Sequence, residues 1–299
     1  MPPIPPPRAD GFTSTTPVPL YWAEYGDPAA PPVLLLHGGP GASHEYLLPQ
    51  MLELASEHRL VCYDQRGGGR SRHDTDRATI GWRDQVADVE RVALELSVTP
   101  LHIVGYSWGG LLAMLYAIEA AAGRVATAPA SLALLDPAPI DRHYRDSFEA
   151  EFARRQSGPA VAALREELQR SGLKERDPEA FRQRAFEVSV AGYFAAPQRA
   201  RDLTPFRVTG RVQQSIWQSL GEYDILPALQ SVRLPSFVVH GREDPIPFAS
   251  SQAAARALGT ECIVLHDCGH VPYVEQPTQL FPPLLAFLRE RSGSTHSLR

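Results

Sequence analysis

Apolar residues along this chain gather mainly in short continuous runs. Val33 to Leu36, Leu60 to Tyr63, Leu101 to Val104, Leu132 to Leu135, Phe237 to Val239 and Cys262 to Leu265 each read as a strand buried on both faces. Helical periodicity over Trp82 to Leu96 and Leu111 to Ala122 separates several of them. Buried strands alternating with amphipathic helices require crossover connections, hence a mostly parallel sheet with helices on both faces. The fold class is α/β. Val18 to Tyr25 alternates instead, and predicts an exposed strand.

One interval breaks the rhythm. Between Pro137 and Pro235 no buried strand is evident, only helix-like stretches at Tyr144 to Gln156, Ala160 to Ser171 and Pro178 to Ala191. The pattern predicts a helical insertion between two strands of one sheet. The core then comprises residues 1–137 and 232–299, and the helical cap residues 138–231. The 299 residues thus form one enlarged domain rather than two in series.

Composition narrows the function classes. Hydrophobic residues make up 43% and charged residues 21%, enough apolar content for a sizeable core. A net charge of −5 offers no basic field for phosphate, which argues against a nucleic-acid partner. The three cysteines, Cys62, Cys262 and Cys268, have neither disulfide-framework nor CxxC spacing, which fits a reducing cytoplasm. The proline cluster Met1 to Asp10 is not a signal sequence and no apolar run reaches membrane-span length, so a soluble, unexported protein is expected.

Gly105-Tyr106-Ser107-Trp108-Gly109 matches Gly-x-Ser-x-Gly. With glycine and serine each at roughly 7%, chance alone produces this pattern in about one chain of this length in ten, so its context decides. It directly follows one apolar strand and precedes a helical run, which puts Ser107 on a sharp strand-to-helix turn at a helix N-terminus. A serine hydroxyl needs a base to take its proton and an acid to orient that base, in the chain order Ser, Asp or Glu, His. His270, in the loop after the last apolar run, is the base; His240 and His266, at strand ends, read as packed or capping residues. Asp244 is preferred as the acid over its neighbour Glu243, which should face solvent, and over Asp267. Acyl transfer also needs amides aimed at the developing oxyanion. Trp108, after the nucleophile, supplies one, and Gly39 in His37-Gly38-Gly39-Pro40-Gly41 the other, with His37 bracing the loop. Asp64 to Ser71 reads as a structural turn beside the site. No cofactor is called for: Gly-Lys-Ser/Thr is absent, the loop at His37 lacks Gly-x-Gly-x-x-Gly, and no histidines or cysteines have metal-ligand spacing.

In its motifs His37-Gly38-Gly39-Pro40-Gly41, Asp64-Gln65-Arg66-Gly67, Ser107-Trp108-Gly109 and Gly269-His270, the chain resembles the proline iminopeptidase branch of the α/β-hydrolase superfamily. The resemblance runs from about Val18 to Arg289. It implies an α/β-hydrolase fold, a Ser107, Asp244, His270 triad, an oxyanion hole at Gly39 and Trp108, and release of N-terminal proline or a small residue from short peptides. The elbow departs from the Gly-Gly-Ser-Trp-Gly of prolyl aminopeptidases, which hold the substrate amine with cap glutamates; Glu187 and Glu222 are available here. A carboxylesterase or lactonase acting on small esters is the alternative, and a non-catalytic ligand-binding homologue a remoter one.

Overall fold

A computed structural model describes residues 4–72 and 80–293. Met1 to Pro3 of the proline cluster and the last six residues assigned to the core lie outside the described residues. Eight strands form one sheet: β1 Ala9–Phe12, β2 Tyr21–Tyr25, β3 Pro32–Leu36, β4 Arg59–Tyr63, β5 His102–Tyr106, β6 Ser131–Leu135, β7 Ser236–Gly241 and β8 Cys262–Leu265. Their order is β1-β2-β4-β3-β5-β6-β7-β8. The β1–β2 and β2–β4 pairs are antiparallel, and all the others are parallel.

The continuous apolar runs follow from this arrangement. On β3, Leu34 and Leu36 pack on one face with α1 (Trp82–Glu95) and α2 (Trp108–Ala121), while Val33 and Leu35 pack on the other. Neither face has a solvent side, so alternation disappears. Burying one such Val, Ile or Leu side chain contributes about 1.5–3 kcal/mol.

Two edge assignments differ from the sequence reading. Tyr21–Tyr25 is not an exposed strand: it is hydrogen-bonded on both sides and largely buried. Ala9–Phe12, behind the prolines, takes the edge with alternating burial and Phe12 exposed. At the other end β8 has a neighbour only in β7, so Cys262–Leu265 is half-exposed and Ile263 points to solvent. Four apolar residues look alike at an edge and in the middle of a sheet.

Between β6 and β7 the chain runs through α3 (Arg142–Gln156), α4 (Pro159–Arg170), α5 (Leu173–Arg176), α6 (Pro178–Val190), α7 (Gly210–Leu220) and α8 (Leu226–Leu229), with no strand among the described residues. The core resumes with β7, α9 (Phe248–Ala257), β8, α10 (Pro272–Glu275) and α11 (Pro277–Gly293). Among the described residues, no helix is long and apolar enough to cross a membrane.

Candidate active site

Ser107 links β5 to α2 with φ 54° and ψ −119°. A side-chain-bearing residue held there costs about 1–3 kcal/mol, which the surroundings must over-determine. Glycines on either side make that possible. A Cβ on Gly105 would lie 2.4 Å from the Gly109 carbonyl oxygen, and one on Gly109 would lie 2.1 Å from that of Leu36. The tight turn is further tied by the Ser107 amide to the Leu135 carbonyl at 3.0 Å.

Ser107 Oγ lies 2.9 Å from His270 Nε2, and His270 Nδ1 lies 2.8 Å from Asp244 Oδ2. Because a carboxylate only accepts, Nδ1 carries the ring proton and Nε2 is left to accept from the serine hydroxyl. Burial pushes the imidazole down to about 4, so it rests neutral at pH 7. The other Asp244 oxygen accepts the Ile246 amide at 2.7 Å. Burial raises this carboxyl above its usual range, while bonds from Asp136 and Ile246 draw it back.

Trp108 is the first residue of α2, where leading amides have no intrahelical acceptor. Its indole donates to Gln65 Oε1 at 2.8 Å, and Gln65 Nε2 donates to the His37 carbonyl at 2.6 Å. In the glycine loop the Gly38 amide is committed to the Tyr46 hydroxyl at 2.8 Å, whereas Gly39 lines the cavity beside Ser107 and Trp108. His37 is buried, its Nε2 accepting the Gln65 amide at 3.0 Å. The Asp64 to Ser71 segment is a structural turn, pinned by a buried bidentate pair from Arg66 to Asp88 at 2.7 and 2.9 Å. Through Gln65 it also ties the two amide-bearing loops together, which its sequence did not reveal.

The remaining candidates fall away from Ser107. Asp267 is exposed, and His270 faces Asp244 instead. Glu243 does not simply face solvent: it is half-buried and accepts the Cys268 amide at 2.9 Å, bracing the base loop. His240 is packed, with Nε2 against the Ile246 carbonyl and Nδ1 against Ser251. His266 is exposed rather than packed, because β8 is an edge strand.

A cavity of about 650 Å³ opens above Ser107 and His270. Its aromatic wall comprises Trp108, Phe148, Phe152, Tyr193 and Trp217, and its charged residues are Arg142, Arg145, Glu149 and Glu222. Arg145 lies 4.1 Å above the Trp217 ring and pairs with Glu149 at 2.8 Å. Glu187, by contrast, is buried against Arg184 and lines a separate small cavity. Glu149 is thus a cavity carboxylate that periodicity did not single out. Tyr193 was also missed: its ring stacks 5.2 Å from that of His270, and its carbonyl accepts the His270 amide at 2.7 Å. Glu275, buried and pushed up to about 7 by that burial, accepts the amides of Gly269 and Ala195 at 2.7 and 2.8 Å. It joins the base loop to the helical excursion. Asp136, His240 and Asp244 form a buried group whose ligand-type atoms lie within 4.8 Å of one another, but Asp244 and both His240 nitrogens already have protein partners. Among the described residues, this group thus offers no set of free ligands for a metal.

A family model described as the alpha/beta hydrolase fold matches residues 31–277. A proline iminopeptidase from Xanthomonas citri is 39% identical over 103 residues, 34% of this chain and 33% of that protein, so the match spans about a third of the relative's length. The solved structure of a proline iminopeptidase from Mycobacterium smegmatis superposes with a TM-score of 0.67 at 19% identity, covering 96% of this chain and 100% of that one. An enol-lactonase structure from Burkholderia xenovorans gives a TM-score of 0.63 at 19% identity, covering 93% of this chain and 100% of its own.

Proposed function

The chain belongs to the alpha/beta hydrolase family, and from that premise we propose that it is a serine hydrolase working through an acyl-enzyme. Ser107 Oγ attacks the substrate carbonyl carbon as His270 Nε2 takes its proton. Asp244 stabilises the imidazolium, and the Gly39 and Trp108 amides hold the oxyanion. The tetrahedral adduct collapses, His270 protonates the leaving group, and water activated by the same imidazole releases the acid. The observation that carries this reading is the continuous Ser107, His270, Asp244 contact, at 2.9 and 2.8 Å.

The substrate reading is release of an N-terminal proline or small residue from short peptides, under a lid formed by residues 138–231. The Xanthomonas relative supports it, as do Glu149 and Glu222 in the cavity, where a free amine needs carboxylates. A carboxylesterase or lactonase is the second reading. It is favoured by the aromatic wall and by the pairing of Glu149 with Arg145, which leaves this carboxylate less available to an amine. Neither reading involves nucleic acid, membrane or a cofactor, and a cytoplasmic location fits three unpaired cysteines.

Ser107→Ala should lower turnover by about 10³-fold or more and abolish labelling by a fluorophosphonate. Full turnover in that variant would remove the serine mechanism. Comparing prolyl arylamide with nitrophenyl acetate on the wild type separates the substrates: arylamide untouched while ester is cleaved removes the peptidase reading.

A further inference from the structure

We propose that Asp136 is a positioning residue of this site, a neutral carboxylic acid that donates its proton to Asp244 and holds that carboxylate toward His270. The proposal rests on the triad reading above and extends it by one residue.

Asp136 directly follows β6, the neighbour of β7 in the sheet, with Leu135 in register with Val239. Its amide donates to the Val239 carbonyl at 3.0 Å, and its Oδ1 accepts the Gly241 amide at 2.7 Å. The side chain therefore lies across the end of β7, beneath the turn that carries Asp244. It is fully buried. Oδ2 has no N–H or O–H donor among the described residues, yet its carboxyl lies within 4.8 Å of the ligand-type atoms of Asp244 and His240. A buried carboxylate oxygen without a donor, beside a second carboxylate, is costly; a proton on one of the two removes both the orphaned atom and the repulsion. Asp244 already accepts the Ile246 amide and faces His270 Nδ1, so the proton belongs on Asp136.

The surroundings agree. Asp136 adopts φ 41°, a left-handed conformation that glycine would take with less strain, so this side chain is kept at a conformational cost. The titratable groups facing the pair include His240 from β7, His270 and Cys268 from the β8 loop, Glu275 from α10, Cys262 from β8, Tyr106 from β5 and Tyr193 from the helical excursion. Among the described residues, the nearby cations Arg155 and Arg199 donate to the carbonyls of Glu243, Asp244 and Glu275 rather than to Asp136. Burial and the Asp244 charge accordingly hold Asp136 far above the ordinary carboxylate range. With Asp136 neutral, Asp244 alone carries charge at rest, and that charge is balanced when His270 takes the serine proton.

The test measures fluorophosphonate labelling of Ser107 against pH, in wild type, Asp136→Asn and Asp136→Ala, with thermal melts to verify folding. Wild-type labelling should keep its rate well below pH 6.5 and lose it near pH 4, because the base must be neutral and burial pushes His270 down to about 4. Asparagine keeps both bonds, its N–H to Asp244 and its oxygen to the Gly241 amide. Labelling should therefore slow by less than about threefold with the acid limb unmoved, whereas alanine should slow it by about tenfold or more. In infrared difference spectra at pH 7, the C=O band of a protonated acid should vanish in Asp136→Asn. An acid limb lowered by about one pH unit in Asp136→Asn would mean that Asp136 acts as an anion, and overturns the proposal. So does wild-type labelling in Asp136→Ala, or no lost infrared band. If wild-type Ser107 itself does not label, the triad reading fails, and the infrared band still decides the proton on Asp136. If the alanine variant does not fold, the asparagine pH profile and the infrared band decide.

Discussion

Helices α2 and α3 both line the cavity above Ser107, and they are held in opposite ways. Every residue of α2 from Trp108 to Ile118 is buried, between the sheet and α1, whereas α3 has no buried residue. Instead α3 carries ion pairs along its own surface, Arg142 with Asp146, Arg145 with Glu149 and Arg155 with Glu151. Such pairs contribute only about 0.3–0.5 kcal/mol each. Its hold on the rest of the protein comes from Tyr144 packed against the core, from a ring cluster of Phe148 and Phe152 against Tyr193, and from Arg155 reaching the carbonyls of Glu243 and Asp244. The turn at Ser107 is thus fixed by close-packed backbone, and the α3 wall of the cavity by a few aromatic contacts. The turn at Ser107 is therefore expected to tolerate almost no change of shape, while the surface of α3 can change at small cost in stability.

The largest expected effect tests the rigid side. In Gly109→Ala the added methyl would sit 2.1 Å from the Leu36 carbonyl oxygen and 2.8 Å from that of His37, and backbone cannot step aside as a flexible side chain does. Loss of soluble protein, or destabilisation of about 4 kcal/mol or more by urea unfolding, is expected. Stability within about 1 kcal/mol of wild type would show that the elbow yields, and the contrast between the two regions would disappear.

The second effect separates activity from stability on the other side. Tyr193 belongs to the excursion, stacks on His270 and meets Phe152 at 4.3 Å. Tyr193→Ala leaves the carbonyl that takes the His270 amide but removes the ring that limits the tilt of the imidazole. Labelling of Ser107 should slow by about tenfold or more, while unfolding costs only about 1–2 kcal/mol, since the ring is part-buried. The opposite split, little change in labelling with a large loss of stability, would make Tyr193 packing and nothing more.

The same difference explains what the sequence could tell. Strands β3, β5 and β6 were legible because burial on both faces writes itself as an unbroken apolar run. Ser107, Asp244 and His270 could be named because each lies in a turn or loop that follows such a run, and the structure brings them within hydrogen-bond distance. Strand β1 was missed and β8 was taken as buried on both faces, because four residues carry no mark of which side lacks a neighbour. Gln65, Asp136, Tyr193 and Glu275 were not legible as site residues. Each acts on a group in another segment, Asp136 on Gly241 across 105 positions and Glu275 on Ala195 across 80. Such pairings follow from strand order and helix docking, which periodicity does not encode. Glu149 was hidden for another reason: most of α3 is polar, so one more carboxylate beside the short aromatic row Tyr144, Phe148 and Phe152 does not stand out.

The smallest effect sharpens the comparison with the same chemical change. Gly210 begins α7, and a Cβ built there meets nothing within 4 Å, against 2.1 Å at Gly109. Its φ lies outside the left-handed region, so alanine suffers no strain. Alanine also narrows the unfolded ensemble and favours helix, each a fraction of a kcal/mol at a first-turn position. Gly210→Ala should therefore stabilise by about 0.5 kcal/mol, read as a rise of roughly 1–2 °C in the melting temperature. One methyl group would then carry opposite signs on the two sides of one cavity. A loss of more than about 1 kcal/mol in Gly210→Ala would mean that the start of α7 is packed as tightly as the elbow, and that the excursion is not the looser region.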